Sequence, residues 1–177
     1  MKRVKISDYI RLGIMSIIFA LLFPVLFSSC KSYTDEELWI KVESAKNNNH
    51  WDSTQQLCQK ILDDYPKSRY APWARFGLAE SYRYKKQPRE ALDNYKLFYE
   101  EHPAMQPSAL SLFLVGYIYN NNLQMHDSAK FYYKLFLTRF PNHELIPSVK
   151  FELQLLEKEP NQALMDRHQQ LKVIFKA

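Results

Sequence analysis

The side chains able to hold a metal ion or attack an electrophile are few in this chain. The five histidines are His50, His102, His126, His143 and His168, and the two cysteines are Cys30 and Cys58. A zinc-type site needs such ligands at short, repeated spacings, and no His-x3-His or Cys-x2-Cys pair occurs. Four of the histidines fall at expected corners between helices and His168 on the last expected helix. The chain has only 3 Gly, so it has neither a glycine-rich phosphate loop nor a Gly-x-Ser-x-Gly nucleophile turn. Cys58 is expected on the inner face of a helix, as a small buried apolar group rather than a nucleophile. These residues predict no enzyme, no metal and no bound cofactor.

Cys30 stands in a different context. Lys2, Arg3, Lys5 and Arg11 open the chain against Asp8 alone, and Leu12 to Phe27 is an apolar run interrupted by Ser16 and Pro24. A membrane-spanning helix needs about 20 apolar residues and the core of a signal peptide ~7–15, so this run sits nearer the second. Small residues follow at once. The stretch Phe27-Ser28-Ser29-Cys30, after Leu26, resembles the bacterial lipobox, with Phe27 where Leu is usual. The resemblance implies a leader over residues 1–29 that is cut before Cys30, a covalent diacylglyceryl lipid on the Cys30 sulfur, and a short tether over 30–34. It also implies a lipid bilayer as partner. Each buried methylene contributes about 0.8 kcal/mol, so two or three acyl chains make a stable anchor. The implied place is the cell envelope, outer membrane favoured and facing the periplasm, since Lys31 is not the Asp of inner-membrane retention. Exposure at the cell surface is the alternative to which Asp35, Glu36 and Glu37 point, although three acids also suit a first helical turn.

The leader also explains the charge. The chain carries a formal +5, of which +3 falls in residues 1–29, leaving +2 for the rest. A body that close to neutral predicts no nucleic-acid partner.

What positions the remaining residues is a repeat. Three corners, Tyr65-Pro66, His102-Pro103 and Phe140-Pro141, lie 37 and 38 residues apart. Twelve residues before each Pro stands a small residue, Thr54, Ala91 or Ala129, with Tyr95 and Tyr133 four places after the two alanines. Leu78-Ala79 with Tyr82, and Val115-Gly116 with Tyr119, mark the preceding helix of each unit. This pattern resembles the tetratricopeptide repeat, in which small residues sit where two helices cross and Pro closes the second helix. The first unit is degraded, with Val42, Thr54, Cys58 and Ile61 in the equivalent places, and Pro160-Asn161-Gln162-Ala163-Leu164 opens the end of a fourth. The expected fold is all-α: a right-handed solenoid of helical hairpins over residues 35–177. Eight helices are predicted near 35–48, 51–65, 70–86, 88–101, 107–121, 126–140, 143–158 and 161–174. Pro88 and Pro107 suit first helical turns. Ala109 to Tyr119 is apolar enough for a buried strand, and the repeat register makes it a helix. Asn120-Asn121-Asn122 is expected to form a longer turn. The mature chain also resembles small tetratricopeptide lipoproteins of Bacteroidota, and more distantly the BamD and YbgF class of envelope proteins.

The first helix of each hairpin lines the hollow side of such a stack. By register that side carries Trp39, Glu43, Trp73, Phe76, Glu80, Arg83, Tyr84, Phe113, Tyr117 and Asn120. Aromatic rings among scattered charges suit an extended peptide or a partner helix. Phe76 and Phe113 are expected chiefly to pack between repeats, whereas Trp73, Arg83 and Tyr84 are of the types that dominate contact hot spots. The expected function is a membrane-anchored, non-enzymatic scaffold that holds a protein or peptide of the envelope. Two alternatives are an accessory subunit of outer-membrane protein assembly, implied by the BamD resemblance, and a carrier for glycans or peptidoglycan stacked on Trp and Tyr.

Overall fold

In a computed structural model, the chain is described over residues 33–158. Cys30, the leader, His168 and the eighth expected helix lie outside the described residues. Residues 35–158 belong to one compact unit. Its described helices are α1 Asp35–Asn47, α2 Trp51–Asp64, α3 Ala71–Tyr84, α4 Pro88–Glu101, α5 Ser108–Asn121, α6 His126–Arg139 and α7 Ile146–Glu157. All regular structure among the described residues is α-helical, including the apolar stretch Ala109–Tyr119. Each helix packs on its neighbours in the chain, and α1 also touches α3, the arrangement of stacked hairpins.

The connections repeat as closely as the helices. At the ends of α2, α4 and α6 the residues before proline, Tyr65, His102 and Phe140, share nearly one backbone conformation, with φ of −134°, −132° and −128°. The following Pro disfavours the helical region for each of them. Their backbone N–H groups still donate to Ile61, Phe98 and Phe136, which closes the last turn. The next helix starts six positions after each of these caps, at Ala71, Ser108 and Ile146. The seventh helix therefore begins at Ile146 rather than 143, because the Phe140-Pro141-Asn142 corner runs on to Leu145. Pro107 likewise is the residue before α5 rather than part of its first turn.

Within each hairpin the turn contains a residue with positive φ: Asn49 at 57°, Lys86 at 59° and Gln124 at 54°. Each lies two residues before the next helix. The third turn holds four residues, 122–125, where the other two hold three, and this accounts for the 38-residue spacing. Asn120 and Asn121 are consequently the end of α5 and not the turn expected of them.

The core follows the repeat pattern. Tyr95, Phe98, Tyr133 and Phe136 are fully buried, as are Ala91, Ala129 and Thr54 at the helix crossings. Val42, Cys58 and Ile61 take the equivalent places in the degraded first unit and are equally buried. Two glycines let the helices approach. A Cβ on Gly77 would meet the Cys58 sulfur at 3.1 Å, and one on Gly116 would meet the Tyr133 ring at 2.6 Å. Phe76 packs edge-on against Tyr95 at 5.7 Å and tilted against Phe98 at 5.4 Å, tying α3 to α4.

Candidate functional site

The first helices of the three hairpins bring Trp39, Glu43 and Lys46 of α1, Trp73 and Phe76 of α3, and Leu110 of α5 around one groove. Tyr70, Gln106 and Pro107, in the corners ahead of α3 and α5, complete it. Its volume is approximately 420 Å³, within the range of about 300–1,000 Å³ typical of ligand clefts. Trp39 and Tyr70 stack with ring centroids 5.7 Å apart and planes 14° from parallel. Arg69 lies over the Tyr70 ring, 4.7 Å from its centroid. Trp73 and Leu110 remain 37% and 38% exposed, large apolar groups that the fold leaves facing solvent. Phe76, only 8% exposed, forms the floor and belongs mainly to the core.

One end of the groove is closed by charge. The Lys46 ammonium lies 2.9 Å from Glu80 and 3.8 Å from Glu43. Burial alone would lower the Lys46 pKa. The hydrogen bond and charge of Glu80, with help from Glu43, outweigh burial and hold it above the ordinary lysine value. The lysine therefore stays protonated, and its charge is answered from within the protein.

The other sequence-predicted contact residues do not join this groove. Arg83 lies over the Tyr84 ring, 4.3 Å from its centroid, and Tyr84 stacks on Trp51 at 4.0 Å and 8°. Trp51, not among the expected contact residues, thus completes a second aromatic cluster at the turn between α3 and α4. Tyr117 is 37% exposed and leans on Phe113 at 6.3 Å. Asn120 requires correction. It is 8% exposed, its amide donates to Glu152 at 3.1 Å, and its oxygen lies 3.0 Å from His126 Nδ1. An amide at this depth must be hydrogen-bonded within the protein, so Asn120 joins α5, α6 and α7 internally and presents nothing to a partner.

Lys46, Tyr70, Gln106, Pro107 and Leu110 were missed by the sequence reading, yet the repeat contained a signal for two of them. Leu110 stands 37 residues after Trp73, and Pro107 stands 37 after Tyr70, so each occupies its counterpart's place in the next unit. Cys58 is buried where expected, and loss of solvent pushes its thiol pKa up to about 12. Among the described residues no group of three or more His, Cys, Asp or Glu could hold a metal ion, and no helix is long and apolar enough to cross a membrane.

The sequence of residues 73–104 and of 110–143 matches the tetratricopeptide repeat family model. No curated protein matches the chain. Among solved structures it is similar to the first tetratricopeptide domain of the human RPAP3 protein, determined by NMR. The two share 20% identity, with a TM-score of 0.54, over 76% of this chain and 95% of that one. The groove is thus built on an all-helical fold of tetratricopeptide type, and α3–α6 carry two such repeats.

Proposed function

We propose that this chain is a non-enzymatic scaffold that holds a protein or peptide partner in the groove between Trp39, Trp73 and Leu110. The observation that carries this reading is the set of large apolar side chains left exposed along one groove, where packing does not require them. Trp and Tyr are the residue types that most often dominate binding energy, and they do so from concave, largely desolvated settings such as this one. Tetratricopeptide repeats are an interaction architecture, and their extended hollow side is the surface used. A photo-crosslinking amino acid at position 73 tests the reading in intact cells. It should capture a specific protein, and the same probe at Phe131, exposed on α6, should not. Recovery of the same proteins from both positions would defeat it.

The scaffold works, in this proposal, from the envelope, tethered by lipid on Cys30 to the outer membrane. The Phe27-Ser28-Ser29-Cys30 stretch and its apolar leader support this. Tethering raises the local concentration near other membrane proteins, so a groove of modest affinity suffices. Cys30→Ala should accumulate as an unprocessed precursor that incorporates no labelled fatty acid. Normal processing of that variant would remove the tether from the proposal.

A further inference from the structure

The groove's charges and its unused hydrogen-bond donors say what kind of partner it takes. We propose that it binds an uncharged, proline-containing segment in the extended polyproline conformation; this rests on the groove being the docking surface.

The first argument is charge. The two charged groups that line the groove, Glu43 and Lys46, are paired with each other, and Lys46 is paired more tightly with Glu80. An anionic residue or a free chain terminus seated here would have to displace Glu80 from Lys46 and leave a carboxylate behind with no cation. Removing one partner from a partly buried pair is strongly unfavourable. A neutral ligand leaves the pair intact.

The second argument is the form of the apolar surface. Its walls are flat rings rather than the deep, evenly spaced pockets that receive the i, i+3 and i+4 side chains of a helix. Trp39 and Tyr70 present one stacked pair, and Trp73 stands exposed beside it. The indole N–H groups of Trp39 and Trp73 and the amide of Gln106 have no hydrogen-bond partner among the described residues. A polyproline helix offers the complement to both features. Its prolyl rings are flat apolar faces, and its carbonyls are free, since it makes no internal hydrogen bonds. The groove crosses three helices, α1, α3 and α5. Two helix spacings of about 10 Å each amount to ~20 Å, the length of six or seven residues at about 3.1 Å per residue. Such a segment is already ordered before binding, so it loses little conformational freedom. A sugar would also stack on these rings. Its many hydroxyls, however, would find only one uncommitted amide and two indole donors, and unsatisfied polar groups are costly to bury.

The experiment titrates the full-length, detergent-solubilised protein with capped, uncharged acetyl-(Pro-Pro-Leu)3-amide. The comparison ligands are acetyl-(Gly-Gly-Leu)3-amide, an uncapped acidic analogue, an amphipathic helical peptide and a chitin hexasaccharide. A Trp51→Phe background leaves Trp39 and Trp73 as the fluorescent reporters. The proline peptide should bind saturably and at least tenfold more tightly than the glycine peptide. Trp73→Ala should weaken it at least tenfold, with circular dichroism unchanged, and exposed Gln106→Arg should weaken it too, whereas Phe131→Ala should not. Equal binding of the glycine peptide, or preference for the acidic, helical or sugar ligand, overturns the inference and leaves the groove standing as a docking surface. If no ligand saturates, the inference falls. Capture of a specific protein from position 73 in cells then decides separately whether the docking reading survives.

Discussion

Gly116→Ala should destabilise the fold markedly, and Gly77→Ala should not. Both glycines sit mid-helix at a hairpin crossing, and in both cases alanine brings a helix-propensity gain of about 1 kcal/mol. The difference lies in what the new methyl meets. At Gly116 the Cβ would lie 2.6 Å from both Cδ1 and Cε1 of Tyr133, against an ordinary carbon–carbon contact of ~3.5–4.0 Å. The Tyr133 ring cannot step aside. It is fully buried and packed with Leu112, Ala129 and Phe136, so α5 and α6 must separate by roughly 1 Å. Overpacking of this kind costs about 1–3 kcal/mol, and a rigid ring places it at the upper end, leaving a net loss of roughly 2 kcal/mol. For a body of this size that lowers Tm by about 6–8 °C. At Gly77 the only close atom is the Cys58 sulfur at 3.1 Å, which needs to yield only a few tenths of an ångström, so the net change should stay within ~0.5 kcal/mol. Adding Cys58→Ala should then make Gly77→Ala stabilising relative to the single Cys58→Ala variant. Thermal unfolding of the full chain, followed by circular dichroism, reads all of these. A Gly116→Ala protein as stable as the parent would show that Tyr133 does not pack over Gly116 and would refute the α5–α6 packing described above.

Lys86→Gly and Gln124→Gly should each raise stability by about 0.5–1 kcal/mol, because both positions hold a left-handed backbone that costs a side-chain-bearing residue roughly 1–2 kcal/mol; a lower Tm for either variant would contradict the turn geometry. In Cys30→Ala protein, where Cys58 is the remaining thiol, alkylation at pH 8 should be very slow until the chain is unfolded. A pKa of about 12 leaves about one thiolate in ten thousand at that pH, and the thiolate is the attacking form; labelling at the rate of a free thiol would contradict the burial. The hydroxyl of Ser68 donates to Asp35 at 2.6 Å and, with the backbone N–H groups and Arg69, holds the Asp35 pKa below its ordinary 3.8. The resulting stabilisation is present above the unfolded value and lost as pH falls through the lowered native one. Ser68→Ala should therefore move the Asp35 carboxyl titration, followed by NMR, back up toward 3.8, and an unmoved titration would show that the hydrogen bond is not the main cause.

Much of the fold was legible because the repeat is written in residues whose physics has few solutions. Proline is tolerated in a helix's first turn but breaks its interior and disfavours helical backbone in the residue before it, so after a run of helical residues Tyr65-Pro66, His102-Pro103 and Phe140-Pro141 mark helix ends. Ala91, Ala129 and Thr54 are small where two helices cross, and they proved fully buried. The left-handed turns were not legible. Asn49 is a residue type that tolerates such a backbone, but Lys86 and Gln124 are not, and only the surrounding hairpin forces them into it. The start of α7 was misplaced for a related reason. His143 and Glu144 permit a helix, and what delays it is the six-residue path shared by all three corners. Asn120 was misread because its register position faces the hollow side. The residue that draws it inward, Glu152, lies 32 places along the chain and carries no repeat signature.

The groove itself was half legible, and the reason bears on its function. Trp39, Phe76 and Phe113 occupy one repeat position, and so do Trp73 and Leu110. At the first of these positions Phe76 goes to the interior, 8% exposed and resting on Tyr95 and Phe98, while Trp39 and Phe113 are half-buried. At the second, Trp73 and Leu110 stay 37% and 38% exposed, so packing constrains their size less. Periodicity can therefore mark both positions as apolar while leaving open which of them faces solvent. The same contrast separates the two kinds of variant. Phe76→Ala removes a core ring and should lower stability together with any binding. Trp73→Ala removes a ring that is 37% exposed, and should lower binding far more than stability. A groove whose large side chains contribute little to folding is one whose occupant can be changed without rebuilding the stack. The identity of Trp39, Trp73 and Leu110, more than the repeat pattern, is then what specifies the partner.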